Sequence, residues 1–138
     1  MKTLIVFVFG SFLIYGAMAQ EAQVEQKTGP EMAFAESQFD FGDIYQGDKV
    51  EHIFTFENVG TEPLIITNVQ TTCGCTAPNW PRDPVAPGQE AEIKVVFNSA
   101  GKIGRQNKVV TIVSNAINPS NKVTIVTNVL PKKESDSQ

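Results

Sequence analysis

Val50-Glu51-His52-Ile53-Phe54-Thr55-Phe56-Glu57 is the stretch that decides the fold. Val50, His52, Phe54 and Phe56 share one parity while Glu51, Thr55 and Glu57 share the other, the period-two pattern of a half-buried strand. Working outward, Phe39 and Phe41 alternate with Gln38 and Asp40 before a turn at Gly42. Downstream, Ala91, Ile93, Val95 and Phe97 are expected to face inward, and Glu90, Glu92, Lys94 and Asn98 outward. Two β-branched runs follow, Lys108 to Ser114 and Lys122 to Leu130, separated by the turn-rich 115–121.

The connections read as clearly. Asn58-Val59-Gly60-Thr61-Glu62-Pro63 is a connecting turn, and Leu64 to Val69 is apolar on both parities, which predicts a central, covered strand. Residues 77–84 hold Pro78, Pro81 and Pro84, with Pro87-Gly88 soon after. Proline lacks a ladder donor, so a loop is expected there. Short strands without a convincing helix predict an all-β fold, an immunoglobulin-like antiparallel β-sandwich of about seven strands. No widely spaced Cys pair is present to staple the sheets, so stability is expected from packing of Phe39, Phe41, Phe54, Phe56, Phe97 and the Val and Ile positions.

With 138 residues, 41% of them hydrophobic, the chain is the size of one small domain with enough apolar content for a core. Eleven Lys and Arg face 15 Asp and Glu, and no basic cluster exceeds Lys132-Lys133, which argues against nucleic acid as a partner. Met1-Lys2-Thr3 followed by the apolar Leu4–Tyr15 and Ala17-Met18-Ala19 reads as a signal peptide over 1–19. The apolar run is shorter than the ~20 residues that span a bilayer, so no membrane span is expected after cleavage near Ala19. No Cys follows the run to carry a lipid anchor. The expectation is a periplasmic or extracellular protein in which Cys73 and Cys75 meet an oxidising compartment. Residues 20–33 read as a flexible linker, 34–130 as the domain, and 131–138 as a disordered tail.

Phe39-x-Phe41-Gly42-x-Ile44, Phe54-x-Phe56-x-Asn58-x-Gly60-x-x-Pro63-Leu64-x-Ile66, Cys73-Gly74-Cys75, Trp80 and Pro87-Gly88 occur in an order that resembles the secreted family known as domain of unknown function 1573. The likeness spans essentially the whole domain. That family is similar in strand pattern to the immunoglobulin-like group that includes major sperm protein and PapD-like chaperone domains. The resemblance implies an all-β sandwich exported by bacteria, and it implies no catalytic activity.

Cys73-Gly74-Cys75 is the chemical feature, and it has three readings. Residues two apart in a strand are separated by about 6.6 Å, so a direct disulfide needs a bend, which Gly74 permits. Such a one-residue bridge is a poor staple and suits thiol–disulfide exchange as the second reading. The third is a soft-metal site, for which the mature chain adds only His52 and Met32. His52 reads as an inward core or rim residue with no assignable nucleophile. Asp40 and Asp43 flank Gly42 and read as solvated turn carboxylates. Trp80, on the proline-rich segment, reads as a plug over one end of the sandwich or as a contact anchor. With no catalytic constellation and no cofactor motif, the expectation is a non-enzymatic module that contacts another envelope protein through its sheet edges, with thiol exchange or metal binding as the alternative.

Overall fold

The computed structural model describes residues 27–134. The expected signal peptide, residues 20–26 of the expected linker and the end of the tail therefore lie outside the described residues. Eight strands run in order: β1 Met32–Phe34, β2 Gln38–Tyr45, β3 Lys49–Asn58, β4 Ile66–Thr71, β5 Thr76–Asn79, β6 Glu90–Asn98, β7 Gly104–Ser114 and β8 Ser120–Leu130. They form two four-stranded sheets, ordered β1-β3-β6-β5 and β2-β8-β7-β4. This is the expected immunoglobulin-like sandwich, with two refinements. There are eight strands, and β2 pairs with β8 in parallel while the other pairs are antiparallel.

The core sits between the sheets where the alternation places it. Phe54, Phe56, Ile93, Val95 and Phe97 from one sheet meet Val110, Ile112, Val123, Ile125 and Val129 from the other, all essentially solvent-free. Phe39, Phe41 and Ala91 are half-buried against this cluster.

Three expectations are corrected. The linker does not reach residue 33: Gly29 and Pro30 are buried, and Met32 belongs to the core at the head of β1. Leu64–Val69 is not a central strand. Leu64 makes an isolated bridge to Val85, and β4 is a sheet edge. A register shift between Ile66 and Asn68 flips the parity, so Leu64, Ile66 and Val69 all point inward while Ile65 is exposed, which is why both parities read as apolar. Residues 76–79 are not loop but β5, paired with β6. The Asn98 N–H donates to Cys75 O, so residues 75, 77 and 79 turn their backbone toward β6 and Pro78 turns outward. A proline there loses no ladder bond and blunts the edge. Pro131–Glu134 carry no strand and are exposed, although the Lys133 ammonium lies 4.7 Å over the Tyr45 ring.

Candidate functional site

The turn between β4 and β5 carries the chain from one sheet to the other, and Cys73-Gly74-Cys75 sits in it. Cys73 and Cys75 are joined by a disulfide with their Cα atoms 5.3 Å apart, shorter than an extended strand allows, so the expected bend is present. It is made without left-handed backbone at Gly74, which does not have a positive φ. A Cβ placed at Gly74 would meet nothing within 4 Å other than its neighbours Cys73 and Cys75, and the residue is exposed. Gly74→Ala is therefore expected to change stability by no more than about 0.5 kcal/mol, measured by urea unfolding; a larger loss would mean that the turn needs glycine.

Hydrogen bonds hold the turn independently of sulfur. Thr72 N–H donates to Val109 O (3.2 Å), Thr76 N–H to Cys73 O (3.3 Å), Asn98 N–H to Cys75 O (2.9 Å), and the Thr71 hydroxyl to Cys73 O (3.0 Å). The Thr76 hydroxyl, itself buried, lies 3.9 Å from Cys73 Sγ, while Cys75 packs on the core. A bridge spanning one residue stabilises by about 1.6 kcal/mol on the loop-entropy relation, against about 3 for a 15-residue loop. Structure around the pair thus depends little on it.

Trp80, just after β5, is half-buried against the core, and the Arg82 guanidinium stacks 3.7 Å from its ring centroid. Its Nε1 is buried without a hydrogen-bond partner. His52 does not join the cysteines. It stacks on Phe39 at 3.7 Å between centroids, meets Phe41 and Phe54 edge-on, and pairs through Nε2 with Glu36. Met32 is core. Among the described residues no three His, Cys, Asp or Glu side chains gather as a metal site, so the donor set weighed for a soft metal is not assembled. Asp40 and Asp43 serve a bulge in β2. Gly42 there takes a φ of 71°, its N–H donates to Asp40, Asn128 donates to Asp43, and Arg105 pairs with Asp40.

Sequence reasoning expected contacts through sheet edges but did not find which edge is open, and the structure shows it to be that of β3. β1 covers β3 only from Phe56 to Asn58, and the last bond is from Ala35 N–H to Thr55 O (3.0 Å). The chain then crosses to the other sheet, where Ser37 O accepts from Thr124 N–H. Since residues 55, 57 and 59 turn their backbone toward β1 and even-numbered residues toward β6, Lys49, Glu51 and Ile53 present theirs to the uncovered side. Among the described residues no strand pairs there. Ile53 is 45% exposed, and a groove of about 180 Å³ lined by Ala33, Phe34, Ala35, Thr55, Phe56 and Glu57 adjoins the end of β1.

Two four-stranded sheets packed face to face around one apolar core define an immunoglobulin-like β-sandwich. Within that class the chain belongs to the family described as "Protein of unknown function (DUF1573)", whose model matches residues 32–129. Among solved structures it is similar to a protein of unknown function from Porphyromonas gingivalis W83, with a TM-score of 0.64 at 16% identity over 79% of this chain. The match spans 51% of that protein, about half its length. The PapD-like domain 7 of human CEP192 superposes with a TM-score of 0.63 at 10% identity, over 84% of this chain and 99% of that one. The secreted serine protease VesC of Vibrio cholerae gives 0.56 at 15% identity, over 72% of this chain and 23% of the protease. At these identities the likeness concerns fold. No curated protein matches the chain.

Proposed function

We propose that this domain is an exported, non-enzymatic contact module of the cell envelope, which takes an extended segment of a partner protein onto the open edge of β3. The observation that carries the reading is the unpaired backbone of Lys49, Glu51 and Ile53 facing that edge. The other edges are better closed. Pro78 faces out of β5, a bulge with two aspartates interrupts β2, and Asn68 Oδ1 accepts the Val69 N–H on β4. A partner strand antiparallel to β3 continues the line of β1 and gains main-chain hydrogen bonds, with the groove beside Phe34 and Phe56 for a side chain. Export rests on residues 1–19.

Ile53→Pro tests it. The Ile53 N–H takes no part in the ladder with β6, so proline removes an outward donor alone, as edge strands tolerate. A photo-crosslinker at Glu51 is expected to yield discrete adducts in cells, lost in Ile53→Pro while the cooperative melt is retained. Adducts that persist in a folded Ile53→Pro protein, or that match those from a crosslinker at Gln70 on β4, would sink the proposal.

A further inference from the structure

The geometry points to the Cys73–Cys75 bridge as an exchangeable disulfide that accepts electrons from the dithiol of another protein, a site separate from the β3 edge. Three observations carry it. First, the bridge is not needed to hold its surroundings: the bonds made by Thr71, Thr72, Thr76 and Asn98 fix both flanks through backbone oxygens. A disulfide that closes a single residue constrains the unfolded chain little, so the pair can open without the sandwich opening. Secondly, approach is unobstructed. Gly74 is exposed between two half-buried cysteines, and apart from those two neighbours no residue comes within 4 Å of where its Cβ would stand, so no other part of the fold covers this side of the turn against an incoming sulfur. Thirdly, the environment of the two sulfurs differs. The Thr76 hydroxyl lies 3.9 Å from Cys73 Sγ as a donor to that sulfur when it becomes a thiolate, whereas Cys75 faces apolar core.

The step balances within the pair of proteins. A partner thiolate attacks one sulfur of the bridge; the Sγ–Sγ bond breaks, a mixed disulfide forms, and the other cysteine leaves as a thiolate that takes up a proton. The partner's second thiol then loses its proton and attacks the mixed disulfide, releasing the remaining cysteine. The partner dithiol is oxidised by two electrons to a disulfide, and Cys73 and Cys75 are reduced by the same two electrons.

The test uses the purified mature protein, a synthetic two-cysteine peptide in its reduced form, acid-quenched alkylation and intact mass. The oxidised protein is expected to convert the peptide to its disulfide with one equivalent of Cys73/Cys75 dithiol appearing. The rate is expected to stay flat in urea below the unfolding transition, since only the turn opens. Thr76→Val, which removes the hydroxyl and keeps the volume, is expected to slow exchange on the order of tenfold with the melt intact. Cys75→Ser, offered the disulfide-linked dimer of a one-cysteine peptide, is expected to accumulate a Cys73–peptide mixed disulfide, because neither partner then holds a second thiol to resolve it. A peptide that stays reduced, or a rate that climbs with urea in step with global unfolding, would overturn the assignment and leave the bridge structural. Wild-type kinetics alone give that answer if a variant does not fold.

Discussion

Replacing Asn58 with alanine is expected to remove about 4 kcal/mol of stability, four hydrogen bonds at about 1 kcal/mol each. Asn58 is fully buried at the end of β3. Its Nδ2 donates to Glu62 O (2.8 Å) and Val85 O (2.9 Å), and its Oδ1 accepts from Gly60 N–H (3.0 Å) and Glu31 N–H (3.3 Å). One side chain thereby ties together the 58–63 turn, the segment before β1 and the Leu64–Val85 bridge. Alanine leaves Glu62 O and the Gly60 and Glu31 amides without this partner, while Val85 O keeps the Leu64 N–H, so the loss is a large fraction of the roughly 5–15 kcal/mol a domain has. Urea unfolding gives the size of the effect. Hydrogen exchange gives its place, with the Val59 and Thr61 amides, bonded to Glu31 O and Gly29 O, expected to lose protection first. A loss below about 1 kcal/mol would mean that these bonds are replaced by solvent at no cost.

Asn58 also marks the boundary of what the sequence reveals. Alternation at Val50–Glu57 and Glu90–Asn98 sufficed for two strands, their inward faces and the class of fold, because period two is a property of one strand taken alone. Whatever depends on a second strand was out of reach. Pro78 is harmless only because β6 lies on one particular side of it. Leu64–Val69 looks central because a bulge, visible only against β7, changes parity midway. Asn58-x-Gly60 held a signal for a turn closed by an Asx side chain, and that turn is present, but the burial of Asn58 follows from the return of residues 29–31.

The same limit applies to the candidate sites. The proximity of Cys73 to Cys75 is local, so a bridge with a bend was readable from spacing. Its setting at the crossover between sheets, with Thr76 beside Cys73, required the fold. His52 as an inward residue was readable from parity, and its separation from the cysteines was not. The open edge of β3 is a fact of connectivity: it exists because the chain leaves that sheet after Ala35 and joins β8 at Ser37. No residue type announces it.

Gly60→Ala is expected to be as damaging as the loss of Asn58, by a different route. Gly60 does not have a positive φ, so its need for glycine is one of space. A Cβ there would collide with Gly29 O, lie 2.5 Å from Glu31 N and lie 2.8 Å from Pro30 C, all backbone atoms that cannot rotate aside. The segment before β1 must move. It is tied down by Val59 N–H to Glu31 O (2.9 Å), Thr61 N–H to Gly29 O (2.8 Å) and Ile117 N–H to Pro30 O (2.8 Å), and it leads directly into the buried Met32. Overpacking of this kind costs about 3 kcal/mol or more, above the usual 1–3, because it displaces a strand rather than a side chain. The consequence reaches the proposed contact surface. β1 is what ends the open edge of β3 at Thr55, so a displaced β1 exposes the backbone of Glu57 as well and lengthens the edge. A long unpaired edge pairs with its own kind. Gly60→Ala is therefore expected to show concentration-dependent association in sedimentation velocity together with its lowered melt, and the added change Ile53→Pro is expected to reduce that association. A stable, monomeric Gly60→Ala protein would show that residues 29–31 can shift without releasing β1.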